Sequence, residues 1–138
     1  EFRRVLFRSK MEFNFNEGLK SVMEQTVGKS DTANSYGSGD LDVYATPAMT
    51  ALMENAAKNG IKKELPVGYT TVGIEISVKH IKPTPVGVKV RAEAILEKAE
   101  GKKLTFKVEA FDDMGKIGEG THIRYVVKAE EFIKKIVR

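Results

Sequence analysis

Thr46, Glu54 and His80 are the residues of this chain whose side chains could together carry out a hydrolysis. Thr46 and Glu54 lie eight residues apart in YATPAMTALMEN, and His80 follows twenty-six residues later at the end of GYTTVGIEISVKH. They supply a hydroxyl, a carboxylate and an imidazole, the groups that nucleophilic or general-base hydrolysis uses. An imidazole, with an ordinary pKa of about 6.5, is suited to act as a general base at neutral pH. The pattern therefore raises the hypothesis of a hydrolytic site.

Each of these residues also has a purely structural interpretation. A threonine at a helix start stabilises the helix by about 1 kcal/mol as an N-cap, without any catalysis. A lone histidine that closes an apolar stripe can simply be a hydrogen-bonded residue at the core edge. Glu54 lies about 130° around its helix from the centre of the apolar stripe, at 100° per residue. It would therefore face solvent unless another surface covers that flank.

A helix and a strand are predicted to position the three residues. Thr46 is a good N-cap and Pro47 suits the first helical position, where its missing N–H costs nothing. Apolar residues then recur at helical spacing towards Gly60. After Pro66–Gly68 the period changes to two, so one strand face is predicted to carry Val72, Ile74, Ile76, Val78 and His80. Thr71, Glu75, Ser77 and Lys79 are predicted on the opposite face.

The remaining segments complete an α+β layout. We expect a first strand within residues 11–33 and a loop at Asn34–Asp40. Three more strands are predicted at Val86–Leu96, Leu104–Phe111 and Ile117–Val127, with turns at Gly101 and Asp112–Gly115, and a short helix at Ala129–Arg138. One long helix followed by about four antiparallel strands fits a hotdog fold, in which a curved antiparallel sheet wraps the helix.

Composition narrows the function classes. EFRRVLFRS at residues 1–9 can be read as the translation of a sequencing-adapter oligonucleotide joined upstream of Met11, so residues 1–10 are predicted to be a non-native leader and residues 11–138 the domain. The leader carries +3 of the formal net charge of +4, so the basic character gives little support for nucleic-acid binding. No segment is apolar enough to span a bilayer, and we expect a cytoplasmic protein.

Metal and thiol chemistry are not expected. The chain has no cysteine and only two histidines, His80 and His122, which lie far apart in the sequence. Catalysis by cysteine and a thiolate metal site are therefore excluded, and a histidine-based metal site is disfavoured. We predict no metal and no cofactor.

In order and spacing, these segments resemble the fluoroacetyl-CoA thioesterase-like branch of the hotdog-fold acyl-CoA thioesterases. The resemblance extends through TPVGVKVRAEAILEKAEGKKLTFKVEAFDDMGKIGEGTHIRYVVKAEEF and covers roughly residues 44–132. It implies a catalytic triad of Thr46, Glu54 and His80. It also implies that the backbone N–H of Gly73 lies near the thioester carbonyl and that Arg124, in THIR, lies near the acyl pocket. In this family a second subunit covers the helix flank, so the resemblance implies a homodimer with interfacial sites and Glu54 buried only in the dimer.

Two positions depart from the family pattern. Asp40 stands six residues before Thr46, where the fluoroacetyl-specific enzyme has an aromatic lid residue, and the surrounding loop SYGSGDLD is polar and glycine-rich. Tyr36 or Tyr44 could substitute for that aromatic group. Ile123 replaces the family's glutamate in THER, which could leave Arg124 without a local charge partner. We therefore expect a related thioesterase without fluoroacetyl specificity.

The function predicted from these features is hydrolysis of a short-chain acyl-CoA thioester to the free acid and CoA. The alternative is a non-catalytic module that binds or senses acyl-CoA on the same fold. A hotdog hydratase or dehydratase is a further rival, but no Asp–His hydration motif is found. The expected partners are the acyl-CoA substrate and a second copy of the chain, with neither nucleic acid nor membrane.

Overall fold

The computed structural model describes residues 13–138. The leader predicted at residues 1–10 lies outside the described part of the chain and stays a prediction, as does the domain boundary at Met11. Within residues 13–138, no helix is long and apolar enough to cross a bilayer. The same residues contain no cluster of three potential metal ligands.

Five antiparallel strands in the described part of the chain form one sheet. They are β1 (Lys20–Thr26), β2 (Tyr69–His80), β3 (Lys89–Glu100), β4 (Lys103–Asp112) and β5 (Gly115–Lys128), in the spatial order β1-β3-β4-β5-β2. Three sequential strands form two hairpins, whose turns use Gly101 (φ +63°) and Gly115 (φ +125°), a backbone conformation that favours glycine. The connection from β1 to β2 is long and crosses the sheet, so β2 lies at the edge opposite β1, beside β5. The strands predicted from period-two alternation are confirmed, with ends shifted by up to four residues.

The long helix packs across this sheet and supplies one side of the core. Residues 13–138 form three α-helices, α1 (Ala33–Tyr36), α2 (Thr46–Lys62) and α3 (Ala129–Ile136), and one 3-10 turn at Lys29–Asp31. The buried face of α2 consists of Ala48, Met49, Leu52, Met53, Ala56, Ala57 and Ile61, and it meets buried strand residues such as Leu96, Leu104, Phe106 and Val108. A long helix held by an antiparallel sheet is the predicted α+β hotdog arrangement, which is thereby confirmed.

The helix start differs from the prediction by one residue. Ala45, not Thr46, is the N-cap, and its carbonyl accepts the first helical bond from Met49 N–H (3.0 Å). Ala45 N–H donates to the Asp31 carbonyl (2.8 Å), which holds Ala45 in an extended conformation. Thr46 therefore occupies the first helical position and its hydroxyl is free for another partner.

The loop predicted at Asn34–Asp40 also begins differently. Its first residues belong to α1, a single helical turn whose N-cap Thr32 accepts a bond from Ser35 N–H (3.2 Å). Gly37, in the left-handed conformation, ends this turn, and bends follow to Asp42. The Gly/Ser pattern thus marked the second half of the segment correctly.

The predicted inward face of β2 is wrong for the residues before Glu75, because the strand contains a β-bulge. The register with β5 shifts between Gly73 and Glu75, so the alternation of side chains reverses there. Ile74 is consequently 57% exposed, whereas Thr71, predicted on the opposite face, is buried. His80 lies beyond the bulge and keeps its predicted orientation towards the core side.

Candidate active site

Thr46 and His80 are joined by a direct hydrogen bond. Thr46 lies in the first turn of α2 and His80 is the last residue of β2, and the Oγ1–Nδ1 distance is 2.8 Å. With a neutral ring, the hydroxyl donates to Nδ1 and the imidazole proton resides on Nε2. This is the arrangement in which a histidine can take a proton from a hydroxyl nucleophile or from a water that the hydroxyl holds.

The surroundings of His80 favour its neutral form. Burial lowers the pKa of His80 below its usual value of 6.5, and the backbone of Lys82 offsets part of this shift. Nε2 is buried and has no hydrogen-bond partner among residues 13–138. The ring is therefore a competent base at neutral pH, with Nδ1 directed at the hydroxyl.

A cavity of about 310 Å³ opens beside the pair. Its lining includes Tyr44, Thr46 and His80 from the site and Ile81, Lys82 and Pro83 from the loop after β2, and it also reaches Ala33, Ser38 and Val43. Tyr44 is buried, donates its hydroxyl to Gln25 Oε1 (2.6 Å) and lies edge-on to the His80 ring at 6.3 Å between centroids. The volume suits a small acyl group.

Tyr44 is the aromatic residue that borders this cavity. Tyr36, the other candidate to replace the missing lid residue, is 49% exposed and lines a separate depression on the far side of the start of α2. Asp40 is exposed in the bends after α1. No aromatic side chain in the described loop 37–42 stands in the lid position.

A second group of site residues gathers around Gly73. A Cβ atom added there would lie 3.1 Å from Glu54 Oε2, 3.2 Å from His122 Cε1 and 3.3 Å from Arg124 Nη1. Such contacts are tighter than side chains normally tolerate, so the glycine allows three functional groups to approach its backbone. Glu54, Gly73 and Arg124, predicted from the family resemblance, are thus close together, and His122 joins them.

Arg124 is held in place by buried hydrogen bonds. Its Nε and Nη2 donate to the hydroxyl and the carbonyl of Thr71 (2.8 and 2.9 Å), and its Nη1 donates to His122 Nε2 (3.1 Å). Since arginine has no acceptor, His122 must be neutral there, with its Nδ1–H donated to the Glu75 carbonyl (2.8 Å). These bonds replace the local charge partner that Ile123 does not provide.

The charges in this group influence one another. Burial lowers the pKa of His122; its bond to the Glu75 carbonyl opposes the shift, the Arg124 charge adds to it, and the Glu54 carboxylate opposes it. Burial also lowers the pKa of Arg124 below its usual range, and the charge of Glu54 again acts in the opposite direction. Glu54 is partly exposed and lies within electrostatic reach of His122 and of the Arg124 charge.

His122 and Thr71 belong to this group, although no sequence motif marks them as site residues. The buried positions His122, Arg124 and Val126 alternate along β5, and this period-two pattern would have placed His122 beside Arg124. Thr71 could not have been found in the same way, because the β-bulge that turns it inwards is set by pairing with β5.

Within one chain, the Thr46–His80 pair and the group of residues around Gly73 lie apart. No hydrogen bond or ion pair links Glu54 to Thr46 or His80 in the described part of the chain. Gly73 and His80 face Arg124 and Gly118 on β5, six residues apart, which is about 20 Å along a strand. A single thioester carbonyl cannot contact both groups in this arrangement.

The fold and its Thr–His pair define a hotdog-fold protein of the thioesterase superfamily. A thioesterase superfamily member from Thermus thermophilus superposes with a TM-score of 0.81 at 29% identity, covering 89% of this chain and 93% of the other. A solved structure of a fluoroacetyl-CoA thioesterase superposes with a TM-score of 0.83 at 31% identity, covering 89% and 96%.

Sequence comparison identifies the branch. The family model for fluoroacetyl-CoA-specific thioesterase matches residues 27–130. The fluoroacetyl-CoA thioesterase of Streptantibioticus cattleyicolor is 38% identical over 95 residues, which are 69% of this chain and 68% of that protein. The chain belongs to the fluoroacetyl-CoA-specific thioesterase family and is a thioester hydrolase, as the sequence resemblance predicted.

Proposed function

We propose that this protein hydrolyses a short-chain acyl-CoA thioester to the free acid and CoA, without specificity for the fluoroacetyl group. The observation that carries the proposal is the 2.8 Å bond between Thr46 and His80 beside a cavity of about 310 Å³, in a member of this family. The missing aromatic lid at Asp40 supports the lack of fluoroacetyl specificity, because a polar loop neither excludes water nor favours a fluorinated acyl group.

In the proposed mechanism, Thr46 attacks the thioester carbonyl or orients the water that does so. His80 accepts the proton through Nδ1 and returns it to the departing CoA thiolate. The backbone N–H of Gly73 donates to the oxyanion, a kind of contribution typically worth about 3 kcal/mol. Arg124, fixed by Thr71 and His122, faces the acyl group. If the threonine is acylated, a water activated by His80 releases the acid.

A homodimer is part of the proposal, because it would bring the two groups together. In the sheet formed by the described residues, β2 is an edge strand with one unpaired side, and Ile74 on it is 57% exposed. If two copies pair antiparallel through β2 about an axis at Ser77, the bulge at Gly73–Ile74 of one copy lies opposite His80 of the other. One thioester carbonyl could then contact the Gly73 N–H of one copy and the Thr46–His80 pair of the other.

This pairing assigns Glu54 to the neighbouring site. It lies beside Gly73 in its own chain, so in the dimer its carboxylate approaches the other chain's His80, whose Nε2 has no acceptor among residues 13–138. Glu54 then orients the ring and favours the imidazolium that forms during proton transfer. It also becomes buried only in the dimer, and a monomer would be inactive. We also propose that the protein is located in the cytoplasm.

The test is thiol release from a panel of acyl-CoAs with the wild-type chain, Thr46→Ala, His80→Ala and the control Thr50→Ala. Thr50 lies one turn beyond Thr46 on the same helix. Acetyl-, fluoroacetyl-, propionyl-, butyryl-, hexanoyl- and phenylacetyl-CoA cover the relevant acyl groups. We expect turnover of a short ester that the first two substitutions abolish and the control retains.

Two other outcomes would contradict parts of the proposal. A large preference for fluoroacetyl- over acetyl-CoA would refute the inferred lack of specificity. No turnover of any ester by a folded dimer would favour the non-catalytic acyl-CoA-binding module.

A further inference from the structure

We propose that the groove between α3 and the adjoining ends of β2 and β5 binds the nucleotide end of CoA, the 3′-phosphorylated adenosine diphosphate. This inference rests on the proposed function, since it names where the same substrate is held far from the reacting carbon. The groove is separate from the cavity beside His80.

The groove combines aromatic surface with positive charge. It has a volume of about 310 Å³, and its lining includes the rings of Tyr69, Tyr125 and Phe132, the lysines Lys102, Lys128 and Lys135, and Glu131. Three aromatic rings offer stacking surface for a purine. Three lysines against one glutamate leave a net positive charge, which suits phosphate groups.

The groove lies within the length of the pantetheine arm of CoA from Gly73. Tyr69 pairs with Lys128, and Gly73 pairs with Arg124, on the same two strands. Four residues separate these pairs, which corresponds to about 13 Å. A thioester held at the Gly73 N–H would therefore have its nucleotide within reach of the groove, because the pantetheine arm can extend over that distance.

The helix that forms one wall is anchored to the sheet. Its first residue, Ala129, donates its N–H to the Gly68 carbonyl (3.0 Å), just before β2 begins. Phe132 is partly buried, whereas Lys135 is exposed one turn further on. α3 thus holds an aromatic ring and a lysine over the strand ends in a defined orientation.

The cavity beside His80 is a poorer place for the phosphates. Lys82 is the only charged residue among those that line it, and CoA carries a pyrophosphate and a further phosphate. Since residues 11–138 are close to neutral overall, the lysines of the groove form a local concentration of positive charge rather than part of a basic surface.

The test compares acyl-CoA with the matching acyl-pantetheine, which lacks the nucleotide. The variants are the full chain with Lys102, Lys128 and Lys135 changed to alanine, the single change Phe132→Ala, and a control with the exposed lysines Lys29, Lys89 and Lys107 changed to alanine. We expect the groove triple variant to raise KM for acyl-CoA about tenfold at low salt, as three exposed charge contacts would, with kcat retained. The effect should shrink at high salt.

Acyl-pantetheine turnover should be unchanged in every variant. An unchanged KM for acyl-CoA in the groove variants, an equal increase in the control, or an equal loss with acyl-pantetheine would overturn the assignment. Calorimetric binding of adenosine 3′,5′-bisphosphate separates this proposal from the proposed function. The wild-type chain could bind adenosine 3′,5′-bisphosphate, lose this binding in the groove variants, and yet hydrolyse neither acyl-CoA nor acyl-pantetheine. That result would support the groove assignment and refute the thioesterase proposal.

Discussion

Mixing two inactive variants would test whether each active site uses residues of both subunits. Glu54→Ala and His80→Ala are purified separately, mixed in equal amounts, dissociated and allowed to reassociate. In the structure Glu54 lies beside Gly73, whereas His80 is bonded to Thr46 about 20 Å further along the sheet. In a mixed dimer of the proposed type, one site therefore has both wild-type residues and the other site has neither.

The expected recovery follows from counting sites. Loss of the general base lowers kcat by on the order of 10²- to 10⁴-fold, so the activity of His80→Ala alone is negligible. Random reassociation makes about half of the dimers mixed, with one of two sites intact. The mixture should then recover about a quarter of the wild-type activity per chain, well above either parent. A triad within one chain predicts no recovery.

The assay is thiol release before and after reassociation, with dimer formation followed by light scattering. The matched control is a mixture of Thr46→Ala and His80→Ala. Since these residues share a 2.8 Å hydrogen bond within one chain, every site of that mixed dimer lacks one of them, and no activity should return. Absence of recovery with Glu54→Ala, despite demonstrated mixed dimers, or recovery in the control would refute the shared site. A fully active monomer would refute it too.

The remaining predictions concern pH, close packing at the site and strand pairing. Because His80 acts as a base only when it is neutral, kcat/KM should fall on the acid side as the ring is protonated; burial lowers its pKa within one chain, and the second chain's Glu54 opposes that shift in the proposed dimer. A kcat/KM that does not change between about pH 5 and 8 would contradict a histidine base. Because the pKa values of His80 and His122 are lowered in the folded chain, the unfolded chain binds more protons than the folded chain in mildly acidic solution. The free energy of unfolding measured in urea should therefore be highest above about pH 6.5 and decrease as the pH falls. A free energy of unfolding that does not change with pH would contradict the lowered pKa values. Gly73→Ala should reduce kcat/KM at least tenfold, with a loss of stability below about 2 kcal/mol, because its Cβ displaces Glu54, His122 and Arg124; full activity would show that this contact is unimportant. Gly120→Ala should lower the stability by about 2 kcal/mol or more, since its Cβ collides with the Ser77 carbonyl and lies 2.8 Å from Val78 Cα. An unchanged urea midpoint would contradict that packing.

Local sequence determined the elements and one half of the site. Thr46-Pro47 followed by helical apolar spacing predicted α2 to within a residue at its start, because capping and periodicity are properties of neighbouring residues. Period-two alternation predicted the strands for the same reason. His80 was predicted inwards at the end of β2, and it lies next to Thr46.

Tertiary structure decided the other half. The bulge between Gly73 and Glu75 arises from pairing with β5, so no pattern within β2 could show that Thr71 turns inwards to bind Arg124. The family resemblance groups Glu54 with His80. In one chain, however, Glu54 lies beside Gly73, because eight helical residues carry it about 12 Å along α2 from Thr46, which is bonded to His80. The groove likewise exists only because α3 folds back over the strand ends, which brings Tyr69 to residues some sixty positions away in the sequence. Residues distant in sequence become neighbours through strand pairing and packing, and that is where the chemistry of this protein is assembled.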